Sequence, residues 1–468
     1  MGVASVAALP VTCTIGTRSA KLETYPTMSS TPSLCWFRRL GGGLALAFVA
    51  LLCPRAHARS IAELGAPQRG AHFELRTEGP SSEAEDWLRV LEAAWPQYAA
   101  FFGAEPALAK DARLQVQVYE TGEAFRQALA RDGVGDPGGA GGIYAFKTSI
   151  AYFFRQPSAW YTRALLLHEC AHQFHGHLTS NRALAGWYAE GAAEHLAHHV
   201  WDGKELKLGV VAPISLENYP LRALDSLRRP DFRFEQWLAD GAPLDRPLGT
   251  HLVRLLHTQP SWSKRFRTLR KDLDRGATLT GTEWNRRLGA PKSLGADLLK
   301  SIEQQQQPFV VGFVDWDARR IDTDQRGTRW TLRGSAASVV SGAYTQREVR
   351  SLECVISQPL QAGRVGLQLD WKGVQDHTVC LLARDDTVYV QRMTSNGWTT
   401  LATKRVAPAQ HSTRTLRVER VQHSDGTLLA EVRVDGEVMG AWPVRNSHFG
   451  PAFDSGVVDF HDLRLENR

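Results

Sequence analysis

Residues 165–177, LLLHECAHQFHGH, set His168, Glu169, His172, His175 and His177 directly behind three leucines. His168 and His172 are four positions apart. On a helix they project from one face one turn apart, the spacing at which two imidazole nitrogens grip one ion. Glu169 sits between them, offset around the helix, where it can reach a water on that ion without being a ligand. That is the physical content of the pattern His-Glu-x-x-His. Cys170 is two positions from each histidine, points to the far side and reads as a packing residue. A catalytic zinc needs a third protein ligand and an open position. The segment GWYAEGAAEHLAHHV (186–200) offers Glu190, with Glu194 one turn further on, placed to hydrogen-bond the outer nitrogen of a ligating histidine. His175 shares a face with His168 and His172 and is the alternative third ligand. His177, His195, His198 and His199 read as surface or helix-end histidines. A buried helix does not normally carry three ionisable groups without a partner for them.

The elements that must hold these residues are legible in the flanking text. HFELRTE (72–78) and RLQVQVYE (113–120) alternate as strands. AEDWLRVLEAAWPQYAAFF (84–102) has helical spacing, with Pro96 implying a kink or a break. GEAFRQALA (122–130) returns to helix, DPGGAGG (136–142) is a loop, and IYAFKTSIAYFF (143–154) is one long strand or a hairpin. The histidine stretch and 186–200 are helices, and the text to about residue 300 reads mainly helical.

HECAH followed by W-x-x-E-G-x-x-E resembles the gluzincin metallopeptidases, specifically the peptidase MA-like group, over about residues 72–270. The resemblance implies one catalytic zinc ion held by His168, His172 and Glu190, a general base at Glu169, an outer carboxylate at Glu194, and a peptide or protein substrate. The family also uses a later Tyr or His to stabilise the oxyanion. No tyrosine occurs in RPLGTHLVRLL (246–256), the corresponding region; His251 and Tyr219 are the available substitutes, and the sequence does not choose between them. GGIYAFKTSIAYFF is an edge along which an extended peptide could align, or a covered strand.

Beyond SIEQQQQPFVV (301–311) the text changes to alternating strands: GRVGLQLDW, HTVCLLARDD, TVYVQRM, TRTLRVERV and TLLAEVRVDGEVMGAWPV. Asp435-Gly436 between apolar alternations is a hairpin signal. Strands without helices argue a two-sheet sandwich, and residues 309–468 resemble the concanavalin A-like lectin/glucanase sandwiches. No paired carboxylates of a glycosidase are visible, so this part reads as a binding or spacer module. Trp371, Trp398 and Trp442 are candidates for stacking on sugar rings of a glycan or cell-surface ligand.

The expected fold is therefore α+β: an N-terminal extension and signal peptide (1–58), a zinc-peptidase domain with a mixed sheet packed on the histidine helix and a helical second half (59–300), a linker (301–308), and an all-β sandwich (309–468). The export signal is FRRLGGGLALAFVALLCPRAHA (37–58): Arg38 and Arg39, an apolar run, then Ala56-His57-Ala58. It directs the chain to a periplasmic or extracellular location after cleavage near Ala58; translation starts at Met1 or Met28. Cys13, Cys35 and Cys53 fall in the lost segment, leaving Cys170, Cys354 and Cys380, of which the last two either pair or remain buried thiols. The composition, 43% hydrophobic and 22% charged over 468 residues, is that of a globular chain of two or three domains. The net charge of +6 is scattered, and the basic run WSKRFRTLRKDLDR (262–275) keeps Phe266, Leu269 and Leu273 at helical spacing. It reads as a solvated helix face, with no nucleic-acid partner. The competing function classes are a binding protein with an inactive metallo-domain and a zinc hydrolase of a non-peptide bond.

Overall fold

The computed structural model describes residues 64–467, apart from 157, 183, 212–213, 216–218, 241–243, 276–280, 289–290, 306–308, 312–314, 325–326, 346, 359 and 374. The export signal, its cleavage position, both candidate start methionines and Cys13, Cys35 and Cys53 lie outside the described residues.

The first half opens with β1 (Gln68–Arg69), β2 (Phe73–Thr77), α1 (Ser81–Phe102), β3 (Leu114–Tyr119), α2 (Gly122–Arg131), β4 (Gly142–Ala145), β5 (Ile150–Phe154) and α3 (Ala159–Thr179). The strands form a mixed sheet in the order β1-β2-β3-β5-β4. β2, β3 and β5 are parallel, and α1 makes the crossover that a parallel pair needs. β1 and β4 are antiparallel edges. Alternation sorts the side chains: Phe73, Leu75, Val116, Val118 and Phe153 join α1 and α3 in one core, while Tyr119, Ile143 and Tyr152 pack with Phe125 and Leu129 of α2 in another. Residues 143–154 are thus a hairpin, not one strand. α1 runs unbroken through Pro96. An interior proline costs about 3 kcal/mol, which the burial of Trp87, Leu91, Trp95, Tyr98 and Phe102 around it offsets.

There follow α4 (Gly186–Ala197), β6 (His199–Trp201), β7 (Leu206–Leu208), β8 (Ile214–Ser215), α5 (Tyr219–Arg228), α6 (Phe234–Asp240), α7 (Arg246–Thr258), α8 (Pro260–Asp274), α9 (Gly281–Leu288) and α10 (Pro291–Gln304). α4 stops three residues short of the expected end because His198 is extended and its Nδ1 bonds the last-turn carbonyl of Glu194 at 2.7 Å. The basic run is α8, with Trp262, Phe266, Leu269 and Leu273 buried. The expected linker begins later than residue 301, since α10 continues to Gln304.

The second half contains β9 (Phe309–Val311), β10 (Asp315–Asp324), β11 (Gly327–Thr345), β12 (Val349–Ser357), β13 (Arg364–Gly373), β14 (Asp376–Ala383), β15 (Thr387–Thr394), β16 (Gly397–Arg405), β17 (Thr413–Gln422), β18 (Leu428–Val434), β19 (Glu437–Pro443) and β20 (Gly450–Asn467). Asp435 and Gly436, at φ 50° and 85°, make the turn between β18 and β19. Two long strands pass through both layers of the sandwich. Residues 450–454 of β20 pair with β13 and with 340–342 of β11, and residues 460–467 pair with β12. The change of layer falls at Ser455 and Gly456, both at positive φ, opposite a register slip between Ala336 and Val340. One layer therefore carries β16, β15, β14 and β13, and the other β12, β17, β18 and β19. Between them lie Leu352, Cys354, Ile356, Leu367, Cys380, Leu382, Leu416, Val418, Phe453 and Phe460. Cys354 and Cys380 are both buried free thiols in this core, not a pair.

The two halves share structure. β8 pairs in parallel with β9, Ile214 opposite Phe309 and Ser215 opposite Val310. Val200 of β6 is buried in the sandwich core, and β10 lies against α3 and β6. Among the described residues, no helix is long and apolar enough to cross a membrane.

Candidate metal centre

α3 is buried almost all round, on the sheet, α1, α4 and β10. Ser158 caps it, its hydroxyl accepting from Tyr161 N. Gln173 Nε2 donates to the carbonyls of Gln115 and Ser149, 2.9 Å each, and Tyr98 donates to Leu167 O at 2.8 Å. These bonds set the rotation of α3, so His168 and His172 face α4. Their Nε2 atoms are 3.1 Å apart. From α4, Glu190 places Oε2 3.7 Å from His168 Nε2 and Oε1 3.5 Å from His172 Nε2. The candidate ligand atoms of the three residues lie within 4.8 Å of one another.

The donor set fits zinc. Bonds of about 2.0–2.1 Å at tetrahedral angles put neighbouring ligand atoms about 3.3–3.4 Å apart; the two histidine nitrogens at 3.1 Å, and His172 Nε2 with Glu190 Oε1 at 3.5 Å, lie on either side of that value. Burial, then the neighbouring His172, holds the His168 imidazole well below its ordinary pKa, leaving it neutral with a lone pair to give. Burial pushes the Glu190 carboxyl up, but His172 and Arg246 outweigh it and hold it well below the carboxylate range. Glu194 Oε1 is 3.5 Å from His168 Nδ1, the outer nitrogen.

Glu169 lies against the sheet edge. Its Oε2 accepts from Tyr144 N of β4 at 2.6 Å. Gly142 makes room: a Cβ there would sit 3.0 Å from Glu169 Cγ. Burial pushes the Glu169 carboxyl up to about 7, where it can both take and return a proton.

Other expected residues lie elsewhere. His175 is not a ligand: its Nε2 is 2.8 Å from Asp274 Oδ1, which also accepts from Tyr188 at 2.8 Å, and Phe102 stacks on its ring. The network ties α3 and α4 to α8. Tyr219 donates to Glu194 Oε1 at 3.0 Å, on the outer side of His168. His251 feels His198 and Arg254, and both its ring nitrogens are buried without a hydrogen-bond partner among the described residues. Cys170 is fully buried, and burial drives its thiol pKa up. His195 and His199 are buried rather than superficial.

Arg246, at the start of α7, enters the centre unannounced. Its Nη2 is 2.9 Å from Glu190 Oε2 and its Nη1 3.5 Å from Glu194 Oε1. It opens the segment in which a tyrosine was sought, and the Asp-Arg-Pro start of a helix was the available signal. With Glu169 ionised, Glu169, Glu190, Glu194 and Arg246 carry a formal charge of 3 − 1 = 2 negative, which a divalent cation balances.

No family model matches the chain, and no curated protein matches it. Several solved structures are similar to part of it. A carbohydrate binding module from Bacillus subtilis is 13% identical at TM-score 0.25, over 32% of this chain and 95% of that one. A galectin from Caenorhabditis elegans is 15% identical at TM-score 0.21, over 29% and 96%. A galectin from Xenopus laevis is 18% identical at TM-score 0.22, over 28% and 100%. The two-layer architecture itself follows from the strand pairing of β9–β20.

Facing away from the sandwich core, Trp371, His377, Met393 and Trp398 are register neighbours across β13 to β16. Tyr344 stacks on Trp371 at 4.7 Å, and Trp398 is 37% exposed. Trp442 packs against the core instead.

Proposed function

We propose that the chain is an exported zinc-dependent metallopeptidase. The observation that carries this reading is the convergence of His168, His172 and Glu190, from two helices, with Glu169 beside them. A zinc ion held by these three residues supplies an activated water and a Lewis acid for a carbonyl oxygen. The buried Glu169 carboxylate accepts a proton from the attacking water and returns it to the leaving amine. Tyr144 N holds that carboxylate in place. Glu194 orients His168, and Tyr219 orients Glu194. β4 ends its sheet beside Glu169, but its four residues are buried and its Tyr144 N–H is taken by Glu169, so it is a covered strand rather than an open edge for a peptide.

Cleavage of a mixed peptide library by the exported chain, beside Glu169→Gln at equal zinc content, tests this. The parent should cleave, and the variant should be slower by about 10²–10⁴-fold. Equal rates would remove Glu169 as the base. Two zinc-loaded proteins that cleave nothing would leave the non-peptide hydrolase or the binding role.

A second reading, glycan binding by the sandwich, is favoured by the exposed Trp398. The two readings concern different faces of the molecule and can both hold.

A further inference from the structure

We propose that Arg246 is a positioning residue of the metal centre: its guanidinium holds Glu190 and Glu194 together, orients Glu190 as the third ligand, and closes the charge of the site around a divalent cation. The proposal rests on His168, His172 and Glu190 being a metal centre, and not on which bond is cleaved.

Glu190 and Glu194 are one helical turn apart on α4, so their carboxylates are presented to the same point. Arg246 reaches both, at 2.9 Å and 3.5 Å, with its side chain only 15% exposed. The contact holds the Glu190 carboxylate from one side: Oε2 meets the guanidinium at 2.9 Å and lies 3.7 Å from His168 Nε2, while Oε1 lies 3.5 Å from His172 Nε2. A planar fork can bridge two carboxylates in this way, and an ammonium, a point charge, cannot hold both in fixed orientation.

The position of Arg246 is itself fixed. Asp245 caps α7, its Oδ1 accepting from Leu248 N at 2.9 Å, and Thr250 Oγ1 donates to Arg246 O at 2.8 Å. α7 lies hard against α4 where two glycines meet: a Cβ on Gly191 would be 2.5 Å from Gly249 O. The charge count gives the second part of the role. With Arg246, three ionised carboxylates and a divalent cation sum to zero; without it, that state leaves a net negative charge in a buried site, which is costly.

The alternative is an ion pair that merely fastens α7 to α4. The test separates them by reading the metal rather than turnover. Metal-stripped full chain, Arg246→Met and Arg246→Lys are compared by chelator competition for zinc and by the visible spectrum of the cobalt form, with circular dichroism as the folding control. Arg246→Met should bind zinc about 10–100-fold more weakly, with an altered cobalt spectrum; Arg246→Lys, keeping charge but not the fork, should fall between. A folded Arg246→Met that binds zinc as tightly as the parent or more tightly, with an unchanged cobalt spectrum, overturns the proposal. If Arg246→Met does not fold, Arg246→Lys decides: weaker zinc binding with a native dichroism spectrum supports the role, and parental affinity and spectrum overturn it. A parent that binds no zinc overturns both this role and the metal centre. A parent that binds zinc but cleaves no peptide removes only the peptidase reading, and the affinities of the variants still decide the role of Arg246.

Discussion

His251 has two buried ring nitrogens and, among the described residues, no hydrogen-bond partner for either. Burial holds its pKa down to about 3, and that of His199 likewise. Each therefore stays neutral in the folded protein while the unfolded chain takes up a proton near 6.5. Between those values the unfolded state binds more protons, so stability falls as pH drops below about 6.5, by at most about 1.4 kcal/mol per pH unit per group. Denaturant melts of metal-stripped protein at pH 7 and pH 5 should show the loss, and His251→Leu should reduce it. Removing an unsatisfied buried polar group is also expected to raise stability at pH 7 by about 1–3 kcal/mol. If instead the variant lost peptide cleavage at full zinc loading, His251 would be part of the chemistry. The expectation that either His251 or Tyr219 faces the substrate came from the absence of a tyrosine in 246–256. Sequence spacing could not tell that Tyr219 would be turned to the outer side of His168, because that depends on how α5 packs against α7 and α10.

α3 and α4 supply the candidate ligands, and the close approach of α7, which brings Arg246, to α4 depends on glycine. Gly191 precedes no turn and needs no unusual φ; it is required because α7 passes where its Cβ would be. Gly191→Ala should push α7 away from α4, cost about 1–3 kcal/mol, and weaken zinc binding through Arg246. A variant with parental unfolding midpoint and zinc affinity would mean that the helices have room to spare. The same logic applies at Gly142, where the second glycine of GGIY admits Glu169 to the edge of β4. The helices themselves were legible from apolar spacing, and so were β2, β3 and the Asp435-Gly436 hairpin. The end of α4 was not, because a histidine carries on the pattern while its ring takes the terminal carbonyl.

The sandwich is built into the molecule rather than tethered to it. β8 extends the pairing of β9, Val200 fills the sandwich core, and β10 backs the histidine helix. A reading of 301–308 as a linker understates this, since a short polar run says nothing about what the strands on either side do next. Of the register row Trp371, His377, Met393 and Trp398, only Trp398 is exposed; His377 is buried and Tyr344 stacks on Trp371. If Trp398 takes sugar rings, the full chain should co-sediment with an insoluble polysaccharide. Trp398→Ala should then weaken that binding by up to about tenfold while leaving zinc content and peptide cleavage unchanged. No polysaccharide retaining the parent would reduce the row to a packed sheet surface.

By itself the sequence determined the chemistry on offer and the kinds of element that carry it. Helical spacing puts His168 and His172 on one face with Glu169 offset, and this is local geometry that no packing can change. Period-two alternation likewise dictates strands with one buried face. Only the tertiary structure decided which distant groups meet. It brought Arg246 to Glu190 across 56 residues of chain, sent His175 to Asp274, and routed β11 and β20 through both layers. Such contacts are set by the three-dimensional fit of helices and sheets, and spacing along a chain holds no record of them.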